Sequence, residues 1–81
     1  MQIIAQLSYI PLNTEDPREK VQDILEHLAQ FDDINIEVGY LSTGIIGEKE
    51  KVFQVIEELY DIMRNETPQF RFHIELLNNP D

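Results

Sequence analysis

The sequence predicts an α+β domain: one four-stranded antiparallel sheet with two helices packed on a single face. Three observations carry this expectation. Three segments alternate apolar and polar residues with period two, and a short apolar pair, Ile45-Ile46, adds a fourth strand. Two others repeat apolar residues at three and four, one after the first strand and one before the last. The 81 residues suffice for a single domain, residues 1–81.

Residues 2–10, QIIAQLSYI, read as the first strand. Ile3, Ala5, Leu7 and Tyr9 share one face; Gln2, Ile4, Gln6, Ser8 and Ile10 share the other. Pro11 has no N–H to donate and is expected to end it. Asp16-Pro17-Arg18-Glu19 is a helix start: an N-cap, a proline at the first helical position and a glutamate at capping-box spacing. Val21, Ile24, Leu25, Leu28 and Phe31 then make one apolar stripe of a helix over 17–31. His27 lies off that stripe and reads as a solvated surface histidine.

After the break at Asp32-Asp33, residues 34–41, INIEVGYL, alternate as a second strand. Ser42-Thr43-Gly44 offers turn chemistry, and Ile45-Ile46 a short third strand. Gly47-Glu48 is expected to open a helix over 49–64, with Val52, Phe53, Ile56, Leu59, Tyr60 and Met63 as its apolar stripe. Asn65–Pro68 reads as a loop and 69–77, QFRFHIELL, as the last strand. Asn78–Asp81 reads as a polar tail. The order is β-α-β-β-α-β. Right-handed crossovers put both helices on one face, which is the ferredoxin-like arrangement. That scaffold hosts many functions and decides none.

The helix-covered face then takes Ile3, Ala5, Leu7, Ile36, Val38, Phe70, Phe72 and Ile74. The opposite face carries Gln6, Ser8, Asn35, Glu37, Arg71, His73 and Glu75, mixed with Ile4, Ile10, Leu41 and Leu77. A face with that many aliphatics is expected to be covered by another subunit, the alternative being an ordinary solvated face. Glu37 and Glu75 can pair with Arg71, or a carboxylate can face a ligand cation. Ser8 and Gln6 supply neutral hydrogen-bonding groups suited to a heterocycle. His73 reads as a hydrogen-bonded interface histidine. A catalytic reading would make it a general base beside Arg71, but no triad or metal-ligand spacing accompanies it, so no enzyme activity and no metal are expected.

All three glycines fall within nine residues, at Gly39, Gly44 and Gly47. A glycine in a strand marks a bulge or a close approach to the backbone. Gly47 suits the position before a helix. Gly39 is the one that leaves room for a ligand.

Composition sets the outer limits. Sixteen acidic residues against six basic give a net charge of -10. Phosphate backbones and anionic membrane surfaces are repelled, so neither nucleic acid nor membrane is an expected partner. The charge keeps the chain soluble, and part of it can serve a cationic ligand. The start, Met1-Gln2-Ile3-Ile4, lacks a basic n-region, and no apolar run approaches the ~20 residues of a membrane span. A cytoplasmic protein is expected. Without cysteine there are no disulfides or thiolate metal sites, so a small core leads us to expect self-association.

The segments AQLSYIPL (5–12), NIEVGYLSTGIIGE (35–48) and KVFQVIEELYDIM (51–63) resemble the small thiamine-binding, YkoF-like proteins. The resemblance spans nearly the whole chain in order and spacing. Its most specific parts are a first strand ending in a proline, Pro11, and a Thr-x-x-x-Gly segment, Thr43 to Gly47. Where that family usually has a glutamate before the glycine, this chain has Ile46, with Glu48 just after. In the last strand Arg71 fits, while His73 and Glu75 replace small hydroxyl residues. The resemblance implies ferredoxin-like domains that associate through sheet faces and edges into homodimers or homotetramers. It implies binding of thiamine or its hydroxymethylpyrimidine portion, with no catalysis and no cofactor. The candidate ligand-binding residues are Gln6, Ser8, Glu37, Gly39, Thr43 and His73. Tyr9 or Tyr40 could stack on a ring. The competing expectation is an assembly module with no small-molecule ligand.

Overall fold

Period-two segments become strands and period-3.6 segments become helices throughout this computed structural model, which describes residues 2–78. The order is β1 (Gln2–Leu12), α1 (Pro17–Leu28), β2 (Asn35–Val38), β3 (Thr43–Glu48), α2 (Lys49–Glu66) and β4 (Gln69–Asn78). All strand pairs are antiparallel, in the spatial order β2-β3-β1-β4. This is the expected ferredoxin-like βαββαβ sheet. Of the expected polar tail, 78–81, Asn78 instead ends β4, and the rest lies outside the described residues.

The helices cover the face carrying Ile3, Ala5, Leu7 and Ile45. Ile24 and Leu28 of α1, with Val52, Val55, Ile56, Leu59 and Met63 of α2, close the core from above. Register makes these residues neighbours: Ile36, Ile45, Ala5 and Leu76 form one row across the sheet, and Val38, Thr43, Leu7 and Ile74 the next. The covered-face assignment from alternation is therefore correct, although Val38 and Ile74 lie at the margins and are exposed.

Asp16 caps α1 as its spacing implies, accepting from the Glu19 N–H at 3.1 Å, with Pro17 at the first turn. α1 ends at Leu28, three residues short of the expected end. Phe31 still packs against the core, so its place in the apolar stripe came from tertiary packing after the helix had stopped. α2 runs on to Glu66, where a short loop was expected from Asn65. Thr67 closes it, fully buried, with its N–H on the Met63 carbonyl. Its hydroxyl pairs with the Tyr9 hydroxyl, and Tyr9, Phe70 and Tyr60 stack edge to face beside it.

Three boundaries move. β1 does not stop at Pro11 but continues to Leu12. β3 pairs with β1 only as far as Leu7, so one side of β1 is free at Pro11 and a missing N–H is tolerated there. Asn13, at φ 53°, then turns the chain away. β2 is only Asn35–Val38; Gly39, Tyr40 and Leu41 leave the sheet. The turn sits at Gly39–Ser42, closed by the Gly39 N–H on the Ser42 carbonyl at 2.9 Å. Thr43 and Gly44, expected in the turn, belong to a six-residue β3.

Gly47 is likewise inside β3 and does not open the helix. A Cβ there would come within 3.0 Å of the Ile34 side chain, so the missing side chain is what lets Ile34 fill the core.

Candidate functional site

The uncovered face is a grid read directly from the register. One row is Glu37, Gly44, Gln6 and Glu75. A second is Asn35, Ile46, Ile4 and Leu77. Ser8 stands opposite His73, and Ile10 opposite Arg71. A band of aliphatics thus lies beside a band of amides, a hydroxyl, an imidazole and carboxylates.

Four of the six candidate residues, Gln6, Ser8, Glu37 and His73, share this face. Two do not. Thr43 points to the helix side, in the row with Leu7 and Val38, because its position in β3 has the parity of Ile45. It lines a cavity of ≈ 40 Å³ with Leu7, Tyr9, Leu25, Leu28 and Met63. That volume holds water-sized molecules and not a heterocycle. Gly39 is in the loop, where a Cβ would meet the Ser42 carbonyl at 3.1 Å. A tight turn accounts for it without a ligand. Tyr9 is also on the helix side, and Tyr40 is fully exposed at the loop tip beside Leu41.

The Glu37–Arg71 and Glu75–Arg71 pairs expected from the sequence do not form. Glu37 is on the β2 edge and Arg71 on the β4 edge, with β3 and β1 between them. Glu75 is four residues along β4 from Arg71, roughly 13 Å at the strand rise. Shared-face residues are not neighbours unless register brings them together.

The hydrogen bonds of Gln6 and Ser8 are the feature that the sequence did not reveal. Ser42 Oγ donates to Gln6 Oε1 at 2.7 Å, and Ser8 Oγ donates to the Leu41 carbonyl at 3.0 Å. Both latch the 39–42 loop onto the open face. Gly44 makes the first latch feasible: a Cβ at Gly44 would lie 3.1 Å from Gln6 Nε2, so the amide crosses β3 where no side chain stands. The latches also fix polarity. Gln6 has its carbonyl engaged and presents its amide N–H₂ as a donor. Ser8 has its proton engaged and presents lone pairs as an acceptor.

A second polar recess lies between α1 and the end of α2, lined by Asp23, Glu26, His27, Gln30 and Glu66. Glu66 Oε2 is buried there without a hydrogen-bond partner. Among the described residues no three His, Asp or Glu side chains are grouped to hold a metal ion. Among the described residues no helix is long and apolar enough to cross a membrane.

No protein-family model and no curated protein matches the chain. Solved structures do. A candidate thiamine biosynthesis/salvage protein from Thermotoga maritima aligns over 98% of this chain and 85% of its own, at TM-score 0.89 and 16% identity. A Streptococcus pneumoniae protein aligns over 98% and 88%, at TM-score 0.90 and 15% identity. A domain of unknown function, DUF77, from Bacillus cereus aligns over 99% and 78%, at TM-score 0.83 and 21% identity. At these identities the likeness is one of fold. The chain shares its whole βαββαβ architecture with these proteins.

Proposed function

We propose that the chain is a non-catalytic, small-molecule binding protein for thiamine or its hydroxymethylpyrimidine portion. It acts as a cytoplasmic carrier, buffer or sensor, and it works as a homo-oligomer. The observation that supports this reading is the polarity that the loop latches impose on Gln6 and Ser8. An aminopyrimidine edge offers an exocyclic N–H next to a ring nitrogen acceptor. Ser8 as acceptor and Gln6 as donor complement that edge in kind. The aliphatic row of Ile4, Ile46 and Leu77 offers a flat apolar floor beside them. Glu37 or Glu75 balances the thiazolium charge, and His73 supplies a further hydrogen bond. The fold shared with a candidate thiamine biosynthesis/salvage protein supports the same ligand class.

One observation favours a second reading. Gln6 and Ser8 both already serve the 39–42 loop. A face whose polar groups hold their own hairpin is also suited to be an assembly surface with no ligand.

Calorimetric titration with thiamine and with hydroxymethylpyrimidine separates the two. Saturable binding supports the first. At a hundredfold excess over the dissociation constant, ligand should also stabilise the fold by about 2.7 kcal/mol in a thermal-shift assay. No heat and no shift with either compound would leave the assembly reading.

A further inference from the structure

We infer that Tyr40, carried on the latched 39–42 loop, closes over a flat heterocycle held at Gln6 and Ser8. One face of the ring then rests on the sheet and the other on the tyrosine. This rests on the small-molecule part of the functional reading and names the residue that covers the ligand.

The need for a cover comes from the open face itself. A ring lying on a sheet is buried on one side, whereas a small-molecule site buries roughly 70–90% of its ligand. A second apolar surface has to supply the other side. The chain has three tyrosines, and two of them are occupied on the helix side. Tyr9 and Tyr60 both stack edge to face on Phe70, and the Tyr9 hydroxyl pairs with Thr67. Tyr40 is fully exposed, and Leu41 beside it is 92% exposed. A single exposed apolar side chain is ordinary. Two adjacent ones at the tip of a loop that is tied down mark a contact surface.

The latches place that surface at the site. Both run from the loop to candidate ligand residues: Ser8 Oγ donates to the Leu41 carbonyl at 3.0 Å, and Ser42 Oγ to Gln6 Oε1 at 2.7 Å. Residues 41 and 42 are therefore fixed at the rim of the site. Tyr40 is one Cα step, about 3.8 Å, from Leu41. Stacked aromatic rings sit with centroids about 4.5–7 Å apart. A side-chain rotation at Tyr40 brings its ring over a heterocycle bonded to Ser8 with both latches kept. Gly39, the residue before it, has no side chain to stand in the way, and its N–H stays on the Ser42 carbonyl. Closing fixes only two side-chain angles, so a tyrosine covers the ligand at low entropic cost. Its ring face also attracts a cationic ring such as a thiazolium.

The chain has no tryptophan, which allows a clean reporter. Tyr40→Trp puts the only indole at the exposed tip. Its emission should be that of a solvated indole in the free protein. It should fall and shift to the blue as thiamine or hydroxymethylpyrimidine is added, over the concentrations at which calorimetry shows binding to the wild-type chain. Phe53→Trp, half-exposed on α2, should not respond. Tyr40→Ala should weaken binding about tenfold, while Tyr40→Phe, which keeps the ring, should bind as the wild type does. The Tyr40 side chain is outside the core, so these variants should unfold at the wild-type temperature. Binding to the wild-type chain with unchanged Y40W emission, or equal affinity in Y40A, overturns the cover and leaves the binding reading standing. An indole that is already buried without ligand and becomes solvated on dilution means that a second copy covers the loop, which also overturns the inference. No heat from either compound with the wild-type chain overturns the inference together with the reading on which it rests.

Discussion

The two edges of the sheet are built in opposite ways. β2 is four residues long, follows Asp32-Asp33 and carries Glu37. Asp33 holds Lys51 of α2 at 3.2 Å, and Lys51 lies over the Phe31 ring. This edge is short, charged and tied to the helices, which is how an edge is closed to further strands. β4 is ten residues long and pairs with β1 without a bulge, with no charge repeating along it. The contrast teaches that exposure alone is a poor guide to an interface. Val38 on β2 is more exposed than Ile74 on β4, yet it sits on a strand too short to template a partner.

The largest effect expected from breaking this arrangement is on the β2 side, where the edge is anchored in the core. Ile34 is buried just before β2 and fills the space that Gly47 leaves open. Ile34→Ala should cost about 2–4 kcal/mol in urea unfolding, from lost burial and the cavity left behind. A loss under ~0.5 kcal/mol would mean that β2 is not held by that contact. At the other edge, Ile74→Lys should do the reverse. The side chain is half exposed, so monomer stability should change by less than ~1 kcal/mol, while a charge on this long open edge should weaken the proposed self-association in sedimentation. Val38→Lys at the β2 edge should leave self-association unchanged in the same sedimentation experiment.

The covered face and the helix starts were legible in the sequence because both are local or periodic. Ile3, Ala5 and Leu7 alternate, and Asp16-Pro17 is a cap whatever lies around it. The candidate site was legible only in part, because it depends on register. Period two assigns Gln6, Ser8, Glu37 and His73 to one face. It cannot say that Gln6 stands opposite Gly44, nor that Glu37 and Arg71 are separated by two strands. Thr43 was grouped with them through the Thr-x-x-x-Gly resemblance, and only the position of the turn fixes the parity of β3. A three-residue shift of that turn, to Gly39–Ser42, moved Thr43 into the core layer. Gly39 reads as room for a ligand and Gly47 as a helix start; in the fold the first closes a tight turn and the second makes room for Ile34.

A smaller effect is expected from the latches that carry the 39–42 loop. Ser8→Ala removes the hydroxyl that donates to the Leu41 carbonyl, and both groups are solvent-accessible, so the loss should be about 0.5–1 kcal/mol. Its signature is local. Amide exchange at Gly39, whose N–H closes the turn, should quicken while amides in β1 and α2 do not. Ser42→Ala should act the same way through Gln6. If the latches also set the donor and acceptor polarity for an aminopyrimidine, both variants should bind hydroxymethylpyrimidine more weakly than these small stability losses explain. Equal binding would remove Gln6 and Ser8 from the site.

The smallest change sharpens the comparison most, because it asks which edge holds the cation. Glu37 and Glu75 end the same row across the sheet, three strand spacings or roughly 14 Å apart. A thiazolium beside one is beyond a Debye length from the other at physiological salt, about 8 Å, so only the nearer carboxylate contributes appreciably. Both are exposed, and each is worth well under ~1 kcal/mol to such a charge. Glu37→Gln should therefore weaken thiamine binding several-fold and leave hydroxymethylpyrimidine, which lacks the cation, unaffected. Glu75→Gln should do this instead if the ligand sits at the β4 edge. Titrating both ligands into both variants gives the answer in four isotherms. A loss confined to thiamine and to one variant locates the cation at that edge. Unchanged thiamine affinity in both removes the carboxylates from the site and leaves the apolar row and the latched pair to account for binding.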